Sequence, residues 1–220
     1  MRCPVCGSRN VSKLQTGSYK CNDCGFVFYP DRDAIIDMRD MIDPSELSEE
    51  EMSVIGEHMA GASEDLGRMI YGEDIKNIFR GNVEIGEIAE KYSEEEKIYG
   101  VFIDFEGNLT GTILIILSEK DVRAITQGKR GMIHTLRSLA RDAFMEFSNK
   151  LNLDAEIKRI DVAYDSITSM VNYLNGEMKK KKAFILNYEL HSDGMWKGDI
   201  IIIPGKESLD FIKSLLEEDV

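Results

Sequence analysis

The chain has 220 residues with a formal net charge of −13, and 43% of its residues are hydrophobic. A chain of this size can bury one sizeable core with room for a small second module, and its acidity argues against broad coating of nucleic acid or of an anionic membrane surface. No apolar run approaches the ~18 residues that a membrane span needs, and the start lacks the apolar stretch of a signal peptide, so we expect a cytoplasmic protein that does not bind membranes.

The first 30 residues differ from the rest in charge and in cysteine content. They carry four basic residues and one acidic residue, a net charge of +3, whereas the remainder carries −16. All four cysteines lie here as two pairs with two residues inside each pair: Cys3, Cys6, Cys21 and Cys24. Such pairs let four thiolates surround one tetrahedral Zn²⁺, and the absence of a secretion signal disfavours two disulfides.

Residues 1–30 resemble the zinc ribbon family and are expected to bind one structural Zn²⁺ per chain. Four thiolates saturate the ion, so no position remains open for catalysis. Ribbons dock proteins or bind nucleic acid, and the fold alone does not decide between a docking module and a nucleic-acid contact. Residues 31–45 are strongly acidic and are predicted to be a linker to a domain that spans residues 46–220.

Hydrophobic periodicity and capping residues predict the elements of this domain in chain order. A capping box at Ser48 and Glu51 begins the first long helix. The full set comprises a helix over 48–71, a strand over 82–89, a hairpin of 99–105 with 112–117, helices over 119–127 and 132–151, a strand over 156–163, a helix over 165–175, a hairpin of 183–191 with 198–203, and a helix over 206–217.

Two segments of the domain are similar to each other. Residues 111–125 align with residues 198–212, so that a glycine, an isoleucine-rich strand and the following helix coincide. The domain is therefore predicted to consist of two helix–strand–hairpin–helix units related by a pseudo-twofold axis. We expect an α+β fold with a mainly antiparallel sheet and the long helices outside.

The helix over 132–151 has one broad apolar face and one polar face. Asp142, Glu146 and Asn149 stand at i, i+4 and i+7 on the polar face, so a carboxylate and an amide project side by side from a rigid element. No nucleotide-binding glycine loop, zinc-protease motif or nucleophile elbow occurs in the sequence.

The motif Asp142-x3-Glu146-x2-Asn149 resembles that of the CheC/CheX/FliY phosphatases of chemotaxis, and the two hairpins resemble the duplicated sheet of that family. The resemblance covers residues 46–217. It implies a phosphatase that acts on a phosphorylated response-regulator receiver domain of the CheY type. Asn149 would hydrogen-bond the attacking water, Glu146 would pair with a lysine of the receiver, and the receiver would supply Mg²⁺.

Two departures from the family pattern leave a second function open. Aligning the long helices by their core faces places Glu50, Val54 and Glu57 opposite Asp142, Glu146 and Asn149, so at most one of the two family sites survives. The downstream proline of the family motif is also missing. The alternative is a catalytically silent adaptor that binds a receiver or a CheD-like deamidase, with the zinc ribbon docking protein or nucleic acid.

Overall fold

The computed structural model describes the larger part of the chain: residues 9–13, 19–23, 27–28, 41–72, 74–92, 97–127, 131–167 and 183–216. Near the N-terminus, three short strands form an antiparallel sheet in the order β1-β2-β3: β1 (Val11–Lys13), β2 (Tyr19–Cys21) and β3 (Val27–Phe28). Cys21 ends β2, whereas Cys3, Cys6 and Cys24 lie outside the described residues. Zinc binding by the four cysteines therefore stays a prediction.

A six-stranded sheet forms the centre of the second domain, with every neighbouring pair antiparallel. Its order is β4-β8-β9-β6-β5-β7. The strands are β4 (Lys76–Asn82), β5 (Ile98–Gly107), β6 (Gly111–Ser118), β7 (Ala155–Asp165), β8 (Leu186–Ser192) and β9 (Met195–Pro204). This confirms the α+β class, the antiparallel sheet and both predicted hairpins.

Five α-helices accompany this sheet in the described residues: α1 (Glu49–Tyr71), α2 (Ile85–Glu90), α3 (Glu119–Ile125), α4 (Met132–Lys150) and α5 (Leu209–Leu215). Two short 3-10 helices span Pro44–Glu46 and Lys206–Ser208. The capping box at Ser48 and Glu51 is formed in both directions, and Gly72 ends α1 in the left-handed conformation. Because α1 and α4 each bury one apolar stripe, they pack on the same face of the sheet and share its larger core. A smaller core lies on the opposite face, where it includes Ile88 of α2.

The strand predicted over residues 82–89 is wrong. β4 ends at Asn82, whose side-chain oxygen accepts a hydrogen bond from the backbone N–H of Ile185 at 2.8 Å. The following residues form α2, which buries Ile88 against the sheet. A window this short contains too few apolar residues to distinguish a period of two from a period of 3.6.

The predicted linker extends too far into the chain. Ile42 is fully buried in the larger core, and its carbonyl accepts a hydrogen bond from the N–H of Phe184 at 2.9 Å. Met41 forms a β-bridge with Gly205. The folded domain therefore includes residues 41–45. The predicted helix over 165–175 lies largely outside the described residues.

The two hairpins meet in the middle of the sheet with a symmetric register. Gly111 of β6 lies opposite Pro204 of β9, and Gly198 of β9 lies opposite Leu117 of β6. A Cβ atom on Gly111 would come within 2.4 Å of the Ile203 carbonyl oxygen, and one on Gly198 within 2.2 Å of the Ile116 carbonyl oxygen. Glycine is thus required at both positions for the same steric reason. That the two halves derive from one duplicated unit stays a prediction.

Candidate functional site

The C-terminal half of α4 presents the predicted site residues to solvent. Its apolar stripe is buried, and the Phe144 ring packs 5.0 Å from the ring of Phe105 on the sheet. Asp142, Glu146 and Asn149 lie on the opposite side of the helix and are exposed. The structure therefore brings the three predicted residues together on one face, as their spacing requires.

The end of α4 that carries Asn149 is held in place by several hydrogen bonds. The N–H of Leu153 donates to the carbonyl of Ser148 at 2.8 Å, and the Ser148 hydroxyl donates to the carbonyl of Leu153 at 3.1 Å. Asn152 adopts φ of 50°, the left-handed conformation of a helix end. Asn108 fixes the chain two residues further on, because its side-chain oxygen accepts from the N–H of Asp154 at 3.1 Å. These hydrogen bonds hold the last turn of α4, which carries Asn149, in a fixed position.

Within the described part of the chain, the side chains of Asp142, Glu146 and Asn149 make no hydrogen bond or ion pair. Met145 lies on the same side of α4, three residues after Asp142 and four before Asn149, and is 50% exposed. The face therefore combines a carboxylate, an amide and an apolar side chain that are all available to another molecule.

The equivalent face of α1 differs from the sequence-based alignment. The buried residues of the two helices coincide at a separation of 81 positions: Ile55, Met59, Ala62 and Leu66 correspond to Leu136, Ala140, Ala143 and Phe147. The residues equivalent to Asp142, Glu146 and Asn149 are therefore Gly61, Asp65 and Arg68. The alignment with Glu50, Val54 and Glu57 is wrong, because apolar spacing alone permits several shifts along a long helix.

Ion pairs occupy two of these three α1 positions. Arg68 pairs with Glu64 and, through Nη1, with Asp65 Oδ1 at 3.0 Å. The other oxygen of Asp65 accepts from Lys150 Nζ of α4 at 2.6 Å. Glu64 also accepts from the backbone N–H of Asn77 at 3.4 Å and lies 3.5 Å from Lys76. The α1 face is therefore neutralised internally, and α4 retains the carboxylate and the amide that are open to a partner.

A second polar cluster, which the sequence reasoning missed, lies on the face of the sheet opposite α1 and α4. Glu189 of β8 and Asp199 of β9 are cross-strand partners. Lys91 Nζ bridges them at 2.7 Å and 3.2 Å, Tyr92 donates to Asp199 at 2.6 Å, and Arg80 donates to Glu189 at 2.6 Å. The signal in the sequence was an acidic residue, Asp199, directly before the run of isoleucines in β9.

The environment shifts the pKa of the two acids in opposite directions. Burial raises the pKa of Asp199 above its usual value, against the hydrogen bond from Tyr92 and the charge of Lys91. Burial also acts to raise the pKa of Glu189, but the hydrogen bonds from Arg80 and Lys91 outweigh it and lower the pKa to about 2. The acids are thus saturated by partners from this chain, and the cluster fastens Lys91 and Tyr92, which follow α2, to the sheet.

Two further properties bear on the kind of site. In the described residues, no group of three or more His, Cys, Asp or Glu side chains is placed to hold a metal ion. This does not test the cysteine pairs, three of whose members lie outside those residues. None of the helices that the structure describes is long and apolar enough to cross a membrane.

Comparisons with known proteins locate the fold. No protein-family model matches the sequence. No curated protein matches it either. Among solved structures, FliY of Thermotoga maritima is similar over 78% of this chain and 96% of FliY, with a TM-score of 0.50 and 18% sequence identity. The α+β domain therefore has the fold of FliY.

Two other solved structures are similar at lower scores. A chain of the FliM–SpeE complex of H. pylori aligns over 78% of this chain and 97% of its own length, with a TM-score of 0.48 and 12% identity. CheX of Desulfovibrio desulfuricans aligns over 68% of this chain and 96% of its own length, with a TM-score of 0.38 and 9% identity.

Proposed function

We propose that this protein is a phosphatase that acts on the phosphorylated receiver domain of a CheY-type response regulator in chemotaxis or two-component signalling. One observation carries the proposal: an exposed carboxylate, Glu146, and an exposed amide, Asn149, have no partner in the described chain and stand on a rigid helix of a FliY-like domain.

The chemistry of aspartyl-phosphate hydrolysis suits such a surface. Phosphoryl transfer requires mainly the positioning of an in-line water and the stabilisation of charge, so a strong base is unnecessary. The Asn149 carboxamide both donates and accepts hydrogen bonds and is able to orient that water. Glu146 offers a carboxylate to a lysine of the receiver and fixes the docking register, with Asp142 one turn earlier on the same face. The receiver supplies Mg²⁺, which neutralises phosphoryl charge.

Substitution of Asn149 is the direct test. In an assay of phosphate release from a CheY-type receiver domain phosphorylated by a small phosphodonor, Asn149→Ala is expected to lose at least ~2 kcal/mol of barrier reduction, a rate loss of more than tenfold. Lys120→Ala, an exposed position on a different helix, α3, is the control and should retain the wild-type rate. Equal rates for wild type and Asn149→Ala would contradict the assignment.

The second candidate function is an adaptor that binds a receiver or a CheD-like deamidase without turnover. The observation in its favour is an exposed methionine on each long helix: Met145, on the same face of α4, is 50% exposed, and Met69 of α1 is 40% exposed. Exposed methionines provide adaptable contact area for partner binding. An adaptor would bind the receiver without accelerating phosphate loss, and Asn149→Ala would then leave both quantities unchanged.

For residues 1–30, we propose one structural Zn²⁺ held by Cys3, Cys6, Cys21 and Cys24. Support comes from the spacing of the cysteines and from the small three-stranded sheet, in which Cys21 ends the central strand. Metal analysis of protein purified without chelator should give one zinc per chain, and Cys21→Ser should lower this content. Protein free of zinc would overturn the assignment. The ribbon would dock a protein or contact nucleic acid.

A further inference from the structure

Glu146 and Lys150 have a spacing that normally produces an ion pair within one helix. A glutamate four residues before a lysine is the favourable order for an i,i+4 pair on an exposed helix face. In this structure Lys150 does not pair with Glu146. Its ammonium lies 2.6 Å from Asp65 Oδ2 on α1 instead.

Asp65 is itself oriented to receive Lys150. Its Oδ1 atom accepts from Arg68 at 3.0 Å, and Arg68 is also bonded to Glu64 one turn earlier. The carboxylate is therefore fixed by its own helix, and its second oxygen faces α4. Because this acceptor is already ordered, the pair of Lys150 with Asp65 costs less side-chain entropy than a pair with the exposed Glu146, whose side chain would have to be ordered as well.

We infer that Asp65 is a positioning residue, which holds the Lys150 ammonium on α1 and so keeps the Glu146 carboxylate available for a cationic group of the partner. The inference rests on the proposed function, since it assigns Glu146 to partner binding. It also explains why an acid stands at position 65 of α1, because the Asp65 carboxylate binds the Lys150 ammonium that would otherwise compete for Glu146 on α4.

The first test needs no partner. The side-chain ammonium resonance of Lys150 is recorded by ¹⁵N NMR in the full chain, with and without Glu146→Gln, in two backgrounds. In the wild-type background, Glu146→Gln should leave the Lys150 resonance in place. In the Asp65→Asn background, which keeps an oxygen for Arg68, Glu146→Gln should shift it, because Lys150 then pairs with Glu146. The absence of that shift in the Asp65→Asn background would overturn the inference.

The second test measures affinity for a CheY-type receiver domain by titration calorimetry. Asp65→Asn should weaken binding about twofold, the size expected for one competing i,i+4 ion pair. Lys150→Met should leave affinity unchanged, and Asp65→Asn combined with Lys150→Met should restore it. Glu64→Gln is the matched control, since it removes the same charge from α1 but leaves the pair of Lys150 with Asp65 intact.

The alternatives give different results. If Lys150 itself binds the partner, Lys150→Met weakens affinity and Asp65→Asn strengthens it, which would contradict the inference. If only long-range charge matters, Glu64→Gln weakens binding as much as Asp65→Asn does, which would also contradict it. Failure of the proposed function has a separate signature, because Asn149→Ala would then leave phosphate release unchanged while the NMR result stands.

Discussion

The two long helices share their buried residues in register but differ on their exposed faces. Leu66 of α1 and Phe147 of α4 occupy equivalent core positions, and the surrounding buried positions also coincide. On the exposed side, α1 places Asp65 and Arg68 in ion pairs, whereas α4 places Glu146 and Asn149 in solvent. Close packing restricts which residues are possible on the buried face of each helix, whereas the exposed residues are not restricted in this way and differ between the two helices.

The two hairpins also differ from each other on the face of the sheet opposite α1 and α4. In the first hairpin, Asp104 lies opposite Thr112 and accepts a hydrogen bond from its hydroxyl at 2.7 Å. In the second hairpin, the equivalent pair is Glu189 and Asp199, two acids that require Lys91, Arg80 and Tyr92 as partners. Asp104 also accepts from Arg159 Nη2 at 2.6 Å. Both hairpins therefore carry charged groups on this face: those of the first lie beside the edge strand β7, and those of the second lie next to α2.

The largest expected effect tests the shared core. Leu66→Ala should cost about 2–5 kcal/mol of unfolding free energy and Phe147→Ala about 3–5 kcal/mol, because each leaves a cavity at the same level of the core. Chemical denaturation measures both. A loss below about 1 kcal/mol for either variant would break the proposed equivalence of the two positions.

A smaller loss of unfolding free energy should distinguish the buried cluster of Glu189 and Asp199 from the exposed ion pairs beside the first hairpin. Lys91→Met leaves Glu189 and Asp199 without their shared ammonium, so we expect a loss of about 3 kcal/mol. Lys158→Met is the control beside the first hairpin, where Lys158 of β7 pairs with the exposed Glu106 and Glu156 and should contribute little. Similar losses for the two variants in denaturation experiments would show that the buried cluster has no special role.

The smallest expected effect is a pH dependence that involves Glu189. Its pKa falls from 4.5 to about 2 on folding, so its stabilisation is present above about pH 4.5 and is lost as the pH decreases towards 2. Wild type should therefore lose about 2 kcal/mol more than Glu189→Gln between pH 6 and pH 2.5. Asp199 has the opposite sign, because a raised pKa makes its ionisation unfavourable to folding. The charge of Glu189 contributes to that raised pKa, so Glu189→Gln also reduces the Asp199 contribution, and the difference between the two proteins reports the pair. Parallel pH profiles would refute the assignment.

The elements with strong local signals are the ones that the sequence predicts well. The capping box at Ser48, the glycine after α1 and the isoleucine-rich strands each depend on residues close in sequence, and all are found. The α2 segment was misassigned because its few apolar residues fit either period. Ile42 was assigned to the linker because its acidic neighbours conceal a single buried side chain.

For the candidate site, spacing along α4 predicts that Glu146 and Asn149 share an exposed face. It does not predict the partner of Lys150. Asp65 is 85 residues away in the sequence, and its approach to Lys150 depends on how α1 and α4 pack. The cluster of Glu189 and Asp199 was missed for a similar reason. The hairpin of β8 with β9 is predicted, but the contacts of Lys91 with its two acids span about 100 residues of sequence.

The burial of Ile42 has a practical consequence for isolating the domain. A shortened chain that begins at residue 46 would lack a side chain that the core fully encloses, and the N–H of Phe184 would lose its acceptor. The missing isoleucine would leave a void, and water or a neighbouring side chain would have to enter it. Cleavage N-terminal to Met41 avoids this loss and keeps the bridge of Met41 to Gly205, so the boundary between the two modules belongs on the N-terminal side of residue 41.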